Sequence, residues 1–96
     1  MPTFVYIGHD GADASQQRKR ARPEHIGRIE ALDAAGRIRF AGPLLDEGGE
    51  PRGSVVVFEA DDLHAARALA ESDPYVEAGV FERLEVRETR VVFPKT

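Results

Sequence analysis

His25 is the residue whose type and spacing best suit chemistry. Ile29 follows it by one helical turn and Leu32 by two, so the three side chains share one helix face. We expect that face to pack on a sheet, which leaves His25 half-buried near the start of a helix that begins at Pro23. The positive end of the helix dipole there disfavours imidazolium, and a neutral imidazole is suited to general-base work. The alternative is a histidine that merely completes the core.

Asp73, in the segment Asp73-Pro74-Tyr75, is the second candidate. A carboxylate in contact with an imidazole holds its tautomer and its orientation, as in catalytic dyads. Asp73 also has a plain structural interpretation, because an Asp before Pro stops a helix and starts a turn. The catalytic hypothesis therefore requires that His25 and Asp73 meet in the fold.

The remaining histidines carry weaker signals. His9 lies with Asp10 and Asp13 in a segment of turn composition after the first strand, and a solvated turn is the favoured interpretation. His64, in the first turn of a helix, should face water. The sequence has no His-x-x-x-His, His-Glu-x-x-His or calcium-loop pattern, so no metal site is predicted.

The basic run Arg18-Lys19-Arg20-Ala21-Arg22 resembles a nucleic-acid patch only superficially. It lacks interleaved aromatic residues, and the chain carries a net charge of −4. A solvated helix face is the favoured interpretation, with no nucleic-acid partner. Arg22 is the exception, because it stands next to Pro23 and close to His25, where it could hold a substrate anion.

The elements that must position these residues follow the order β-α-β-β-α-β. The predicted strands are Thr3–Gly8, Arg37–Ala41, Ser54–Ala60 and Val80–Val86, and the predicted helices are Pro23–Ala35 and Leu63–Ser72. This order is typical of a ferredoxin-like α+β fold, an antiparallel sheet with both helices on one face. The run Val55 to Phe58 is apolar on both sheet faces. We therefore expect a homodimer in which the open sheet faces meet.

Three segments between these elements are less regular. A polar stretch, Gln16–Arg22, should be separated from the helix by a bend at Pro23. The Gly- and Pro-rich stretch Gly42–Gly53 is interpreted as a flexible loop, and a flexible loop beside a pocket can act as a lid. Val91–Phe93 would extend or follow the last strand.

Length and composition limit the function classes. At 96 residues and 10.6 kDa the chain forms a single domain, residues 1–96. With no cysteine, thiol catalysis, disulfides and iron–sulfur clusters are excluded. No apolar run has the roughly 20 residues of a membrane span, and the N-terminus lacks a signal-peptide pattern, so a cytoplasmic protein with no membrane partner is expected.

Several short motifs, in order over nearly the whole chain, resemble those of the YciI-like (YCII-related) family. They are Arg22-Pro23-Glu24-His25-Ile26, Gly36-Arg37, Ala41-Gly42-Pro43, Gly53-Ser54 and Asp73-Pro74-Tyr75 with Ala78-Gly79-Val80. The resemblance implies the dimeric α+β barrel fold and a pocket between helices and sheet. It also implies that His25 and Asp73 form a catalytic dyad. With this resemblance, a functional His25 is favoured over a histidine that merely completes the core.

The implied activity is that of a cofactor-free enzyme of lyase, isomerase or dehydrochlorinase type. His25 would move the proton and Asp73 would orient it, while Arg22, Ser54 and Tyr75 would bind the substrate. Two alternatives remain open. The chain could be a non-catalytic binding or interaction module with a structural His–Asp pair. It could also be a heme- or oxygen-dependent monooxygenase, since some relatives of this fold are.

Overall fold

A four-stranded antiparallel sheet in the order β2-β3-β1-β4 is the framework of the molecule. The computed structural model describes residues 1–95. The elements are β1 (Thr3–Asp10), α1 (Ser15–Ala34), β2 (Ile38–Leu45), β3 (Pro51–Glu59), α2 (Leu63–Glu71), α3 (Pro74–Glu77) and β4 (Phe81–Thr89). The predicted ferredoxin-like α+β fold is confirmed, with α3 as an additional single-turn helix.

The core lies between the sheet and the helices. Phe4 and Tyr6 of β1 are buried and stand beside Phe58 and Val56 of β3 in the antiparallel register. They pack against small residues of α2, chiefly Ala66 and Ala70, which let the helix lie close to the strands. Because strand side chains alternate in direction, every second residue of β1 and β3 points into this core.

Within residues 1–95, no helix covers the opposite face of the sheet. Val5 and Ile7 of β1 and Val55 and Val57 of β3 lie there, half-buried only by their neighbours in the sheet. Phe40, beside Val57 on β2, is 57% exposed. This is the face through which the sequence predicts a dimer, and that remains a prediction.

The predicted start of the helix at Pro23 is wrong. Helix α1 begins at Ser15 and runs through Pro23. An interior proline removes one backbone hydrogen bond, here the one to the Lys19 carbonyl, which tertiary packing can offset. Arg18, Ala21 and His25 are the buried residues that fix the helix on the sheet. His25 consequently lies in mid-helix, and the helix-dipole argument for its neutrality does not apply.

The predicted loop over Gly42–Gly53 is also wrong. Strand β2 continues to Leu45 and β3 begins at Pro51, so only residues 46–50 form the turn. The Asp46 carboxylate closes that turn by accepting hydrogen bonds from the backbone N–H groups of Gly48 and Glu50. Pro43 is tolerated because β2 is an edge strand, whose outer backbone groups need no partner, and Pro51 is the first residue of β3.

At the other end of the chain, β4 reaches Thr89, and Val91–Phe93 lie beyond it and outside the sheet. They do not extend the strand. Among residues 1–95, none of the helices combines the length and the apolar character that crossing a bilayer requires.

Candidate active site

His25 and Asp73 are in direct contact. The Nδ1 atom of His25 lies 2.9 Å from one carboxylate oxygen of Asp73 and 3.0 Å from the other. Helix α1 supplies His25, and Asp73 is the N-cap of α3, where its Oδ1 accepts the backbone N–H of Tyr75 at 2.8 Å. Asp73 is 1% exposed and His25 7%. The predicted contact therefore exists, in a site largely closed to water.

Three donors converge on the Asp73 carboxylate. Besides His25 and the Tyr75 backbone, the buried hydroxyl of Tyr6 donates a hydrogen bond to Oδ2. Burial alone would raise the pKa of Asp73, but the hydrogen bonds from His25 and Tyr6 outweigh it and hold the pKa below its usual value. Asp73 is thus ionised and accepts hydrogen bonds only. Nδ1 of His25 must carry the proton, which leaves the lone pair of the neutral ring on Nε2.

Stacking fixes the plane of the imidazole. The ring of Tyr75 lies parallel to that of His25, with centroids 4.0 Å apart and an interplanar angle of 15°. The guanidinium carbon of Arg18 in turn lies 4.5 Å from the centroid of the Tyr75 ring. Tyr75 is therefore in contact with both His25 and Arg18.

Arg18 is held by a second buried carboxylate. Its Nε and Nη2 atoms donate to the two oxygens of Asp10 at 2.8 and 2.9 Å, and Nη2 also donates to Ser54 Oγ at 3.0 Å. The side chains of Arg18 and Asp10 are 10% and 3% exposed. The sequence predicted a solvated helix face and a solvated turn for these residues, and both predictions are wrong. One signal was present, because Arg18 precedes His25 by two helical turns and so shares its face.

A cavity of about 380 Å³ opens in front of these residues, between α1, α3 and the β2–β3 hairpin. Its polar wall consists of Ser15, Arg18, Lys19, Arg22, His25, Glu50, Arg52, Ser54 and Tyr75. Aliphatic and small residues complete it, namely Ile26, Ile29, Ala41, Gly42, Pro43, Pro51 and Val56. The stretch predicted as a flexible loop therefore supplies part of the cavity wall from the two paired strands.

The five predicted site residues are brought together by the fold. His25, Arg22, Ser54 and Tyr75 line the cavity, and Asp73 lies behind His25, on the side of Nδ1. Four lining residues are lysine or arginine and one, Glu50, is acidic. Arg18 is paired with Asp10 and Arg52 with Asp46, so the positive charge of the wall comes mainly from Lys19 and Arg22. Such a surface suits a ligand that carries negative charge.

The other histidines stand apart from this site. His9 Nε2 lies 3.1 Å from Arg83 Nη2 at an exposed position, and His64 is on α2, away from the cavity wall. Within residues 1–95, no group of three or more His, Cys, Asp or Glu side chains is arranged to hold a metal ion.

Comparison with known sequences decides the family. The model of the YCII-related domain matches residues 1–90. The chain belongs to the YCII-related family. Protein YciI of Escherichia coli O6:H1 (strain CFT073) is 38% identical over 96 residues, covering 94% of this chain and 98% of the relative. An uncharacterized protein of Haemophilus influenzae is 33% identical to this YCII-related protein over the same shares of the two chains.

Solved structures share the fold of this YCII-related protein. The 5-chloro-2-hydroxyhydroquinone dehydrochlorinase TftG of Burkholderia phenoliruptrix AC1100, in complex with 2,5-dihydroxybenzoquinone, matches it with a TM-score of 0.83 at 26% identity. The match covers 92% of this chain and 93% of TftG. Rv0793 of Mycobacterium tuberculosis gives a TM-score of 0.53 at 13% identity over 98% and 97%, a likeness of fold alone. The dimeric α+β barrel class is thereby confirmed for the fold of the chain.

Proposed function

We propose that this protein is a small-molecule enzyme that transfers a proton through His25, without a cofactor, in a reaction of lyase, isomerase or dehydrochlorinase type. The observation that carries the proposal is the buried His25–Asp73 pair at the wall of a cavity. Nδ1 is occupied by Asp73 at 2.9 Å, so Nε2 is the ring nitrogen available to a substrate. The likeness to the dehydrochlorinase TftG supports this reaction class.

In the proposed mechanism, Nε2 of His25 removes a proton from a hydroxyl or carbon of the substrate. The electron pair of that bond moves into the substrate and forms a new double bond. In a dehydrochlorination, chloride departs with the electron pair of the carbon–chlorine bond. Asp73 stabilises the imidazolium that forms, because its ionised carboxylate faces Nδ1. The proton then passes to solvent or returns to another atom of the substrate, as in an isomerisation.

The cavity favours a single-ring compound with an ionised oxygen. Its volume of about 380 Å³ lies at the lower end of the range for small-molecule sites. Arg22 supplies positive charge, and Ser54 supplies a hydroxyl next to Arg18. Burial raises the pKa of Tyr75, so its phenol stays neutral and available as a donor. We assign these residues to binding of a phenolate, carboxylate or lactone group.

Turnover of 5-chloro-2-hydroxyhydroquinone and of a panel of lactones and halogenated phenols tests the proposal. Chloride release and product formation would be followed for wild type, His25→Gln and the matched control His64→Gln. Loss of general-base catalysis is expected to lower kcat about 10²- to 10⁴-fold in His25→Gln. His64→Gln should match wild type, since His64 lies on α2 outside the cavity. Equal rates for His25→Gln and wild type would contradict the mechanism.

We also propose that two copies pair through the open sheet face. The apolar residues Val5, Ile7, Val55 and Val57 line it, and Phe40 beside them is 57% exposed. Burial of this surface would add the apolar area that a short chain lacks. Light scattering at micromolar concentration should give twice the mass of one chain, and Val57→Glu should shift it toward one. A wild-type mass equal to one chain would contradict the pairing.

A further inference from the structure

We propose that Tyr6 is a positioning residue of the dyad: its hydroxyl binds Asp73 and thereby sets the pH at which His25 gains a proton. This inference deepens the proposed function and rests on it for its catalytic meaning. Asp73 has two oxygens, and His25 contacts both of them, at 2.9 and 3.0 Å. The Tyr6 hydroxyl donates to Oδ2, so Tyr6 and His25 share the same acceptor.

The position of the hydroxyl is fixed by the centre of the sheet. Tyr6 is 1% exposed, and its backbone is paired with Val56 on one side and Val86 on the other. Its ring packs edge-on against Phe58, with centroids 5.8 Å apart. A tyrosine held on both backbone edges and at its ring cannot swing away from Asp73. The carboxylate is therefore tied to the main core as well as to α3.

The charged surroundings make Tyr6 a constant donor. Burial, and after it the negative charge of Asp73, raise the pKa of Tyr6 above its usual value, and Arg28 opposes this only partly. The other titratable groups near the pair are His25 and Tyr75, and Tyr75 itself faces Arg18 and Arg22. Tyr6 thus remains protonated over the pH range in which a histidine titrates.

A fixed donor on Asp73 opposes protonation of His25. The positive end of the Tyr6 O–H dipole points at the carboxylate, on the same side from which His25 approaches. It disperses the negative charge that would otherwise stabilise imidazolium, and it places partial positive charge near that cation. Removal of the hydroxyl should therefore leave Asp73 a stronger acceptor for His25. The imidazolium form would then persist to higher pH.

The experiment is a histidine NMR titration of Tyr6→Phe against wild type. Tyr6→Phe keeps the ring that packs on Phe58 and deletes only the hydroxyl. The midpoint of the His25 titration should rise by roughly half a pH unit or more, since one pKa unit corresponds to a modest change in interaction energy. The NMR signals of His9 and His64 are assigned from their absence in the spectra of His9→Gln and His64→Gln. An unchanged His25 midpoint would overturn the proposal.

Two controls test whether the Tyr6 hydroxyl acts on His25 specifically and through Asp73. Tyr75→Phe deletes the hydroxyl of the other of the two tyrosines and retains the backbone N–H that Asp73 accepts, so it should shift the His25 midpoint less. In an Asp73→Asn background, Tyr6→Phe should no longer raise the midpoint, because Tyr6 acts through Asp73. A rise of the same size in that background would overturn the proposal.

The wild-type protein provides a test that needs no variant. A hydroxyl buried on a carboxylate should give a proton resonance that exchanges slowly with water, and rapid exchange of the Tyr6 hydroxyl would overturn the proposal. None of these measurements uses a substrate. If no substrate is turned over but the His25 midpoint rises in Tyr6→Phe, the proposed function is rejected and the role of Tyr6 stands. If a substrate is turned over through His25 but the midpoint is unchanged in Tyr6→Phe, the role of Tyr6 is rejected and the proposed function stands.

Discussion

Two buried pairs of a basic side chain with a carboxylate flank the cavity, and Tyr75 contacts a member of each. Arg18–Asp10 and His25–Asp73 both join a side chain of α1 to a carboxylate at the end of another element. Burial alone would lower the pKa of Arg18, but Asp10 outweighs it and raises that pKa, so the first pair is permanently charged. The second contains an imidazole, the side chain that changes charge between pH 5 and 8.

Because only one pair changes its charge near neutral pH, the two pairs suit different tasks. Because Arg18 stays protonated beside Asp10, it can donate hydrogen bonds to a substrate without giving up a proton. A pair whose cation forms and disappears can take a proton and release it. In the proposed enzyme, the Arg18 side of the cavity would bind and the His25 side would react. The predictions that follow break one pair at a time and compare the results.

The largest effect on stability should come from the permanent pair. Arg18→Met leaves the buried Asp10 carboxylate without its partner, and such a change typically costs about 3–5 kcal/mol. The exposed pair Arg87–Glu85, with its atoms 3.6 Å apart, is the matched control. Arg87→Met should change the free energy of unfolding by less than about 1 kcal/mol. Urea unfolding at pH 7 measures both variants. Equal losses of unfolding free energy in the two would contradict the claim that the buried Arg18–Asp10 pair stabilises the fold.

An intermediate effect is expected for Asp73, and it should depend on pH. Asp73→Asn can still cap α3 but loses the charged hydrogen bonds of the carboxylate, a cost of about 1–3 kcal/mol. Because the folded-state pKa of Asp73 lies below its ordinary value of 3.8, its ionisation stabilises the fold above about pH 4. That contribution is lost as the pH falls through the lower, folded-state pKa. Urea unfolding from about pH 4.5 to about pH 3, below the range in which histidine ordinarily titrates, should show the difference in unfolding free energy between wild type and Asp73→Asn becoming smaller. A constant difference over that range would contradict this.

The smallest effect on stability should follow from His25. In His25→Gln, Asp73 retains the donors from Tyr6 and the Tyr75 backbone, so the carboxylate is not left unpaired. We expect the free energy of unfolding to fall by less than about 1 kcal/mol, because catalytic groups often contribute little to stability or even reduce it. Thermal and urea unfolding measure it. A loss as large as that of Arg18→Met would favour the alternative of a structural His–Asp pair in a binding module.

The dyad shows how far the sequence could go. Helical spacing placed His25 on a buried face, and the family resemblance paired it with Asp73. Their contact joins residues that are 48 positions apart and depends on how α1 and α3 settle on one sheet. No local pattern encodes such a meeting. The sequence predicts that Tyr6 lies in a strand. The hydrogen bond of its hydroxyl depends on Asp73, which the fold brings next to that strand from a distant part of the chain.

Arg18 and the β2–β3 hairpin were missed for a different reason. Pro23 was interpreted as a helix boundary, which detached Arg18 from the helical face that it shares with His25. Glycine and proline between residues 42 and 53 predict a loop, but Gly42 and Pro43 lie on the edge strand β2 and Pro51 is the first residue of β3, positions where a sheet accommodates them. In each case tertiary packing outweighed a local preference worth a few kcal/mol.

The measurement that tests the central claim most directly is the NMR titration of His25 in wild type and in Asp73→Asn. The account holds that the ionised Asp73 carboxylate faces Nδ1 and stabilises the imidazolium form of His25. Removal of that charge should move the midpoint of the His25 titration to markedly lower pH, while the midpoints of His9 and His64 stay in place. A His25 midpoint that is the same in both proteins would show that the pair is not electrostatically coupled, and would contradict the dyad on which the proposed function rests.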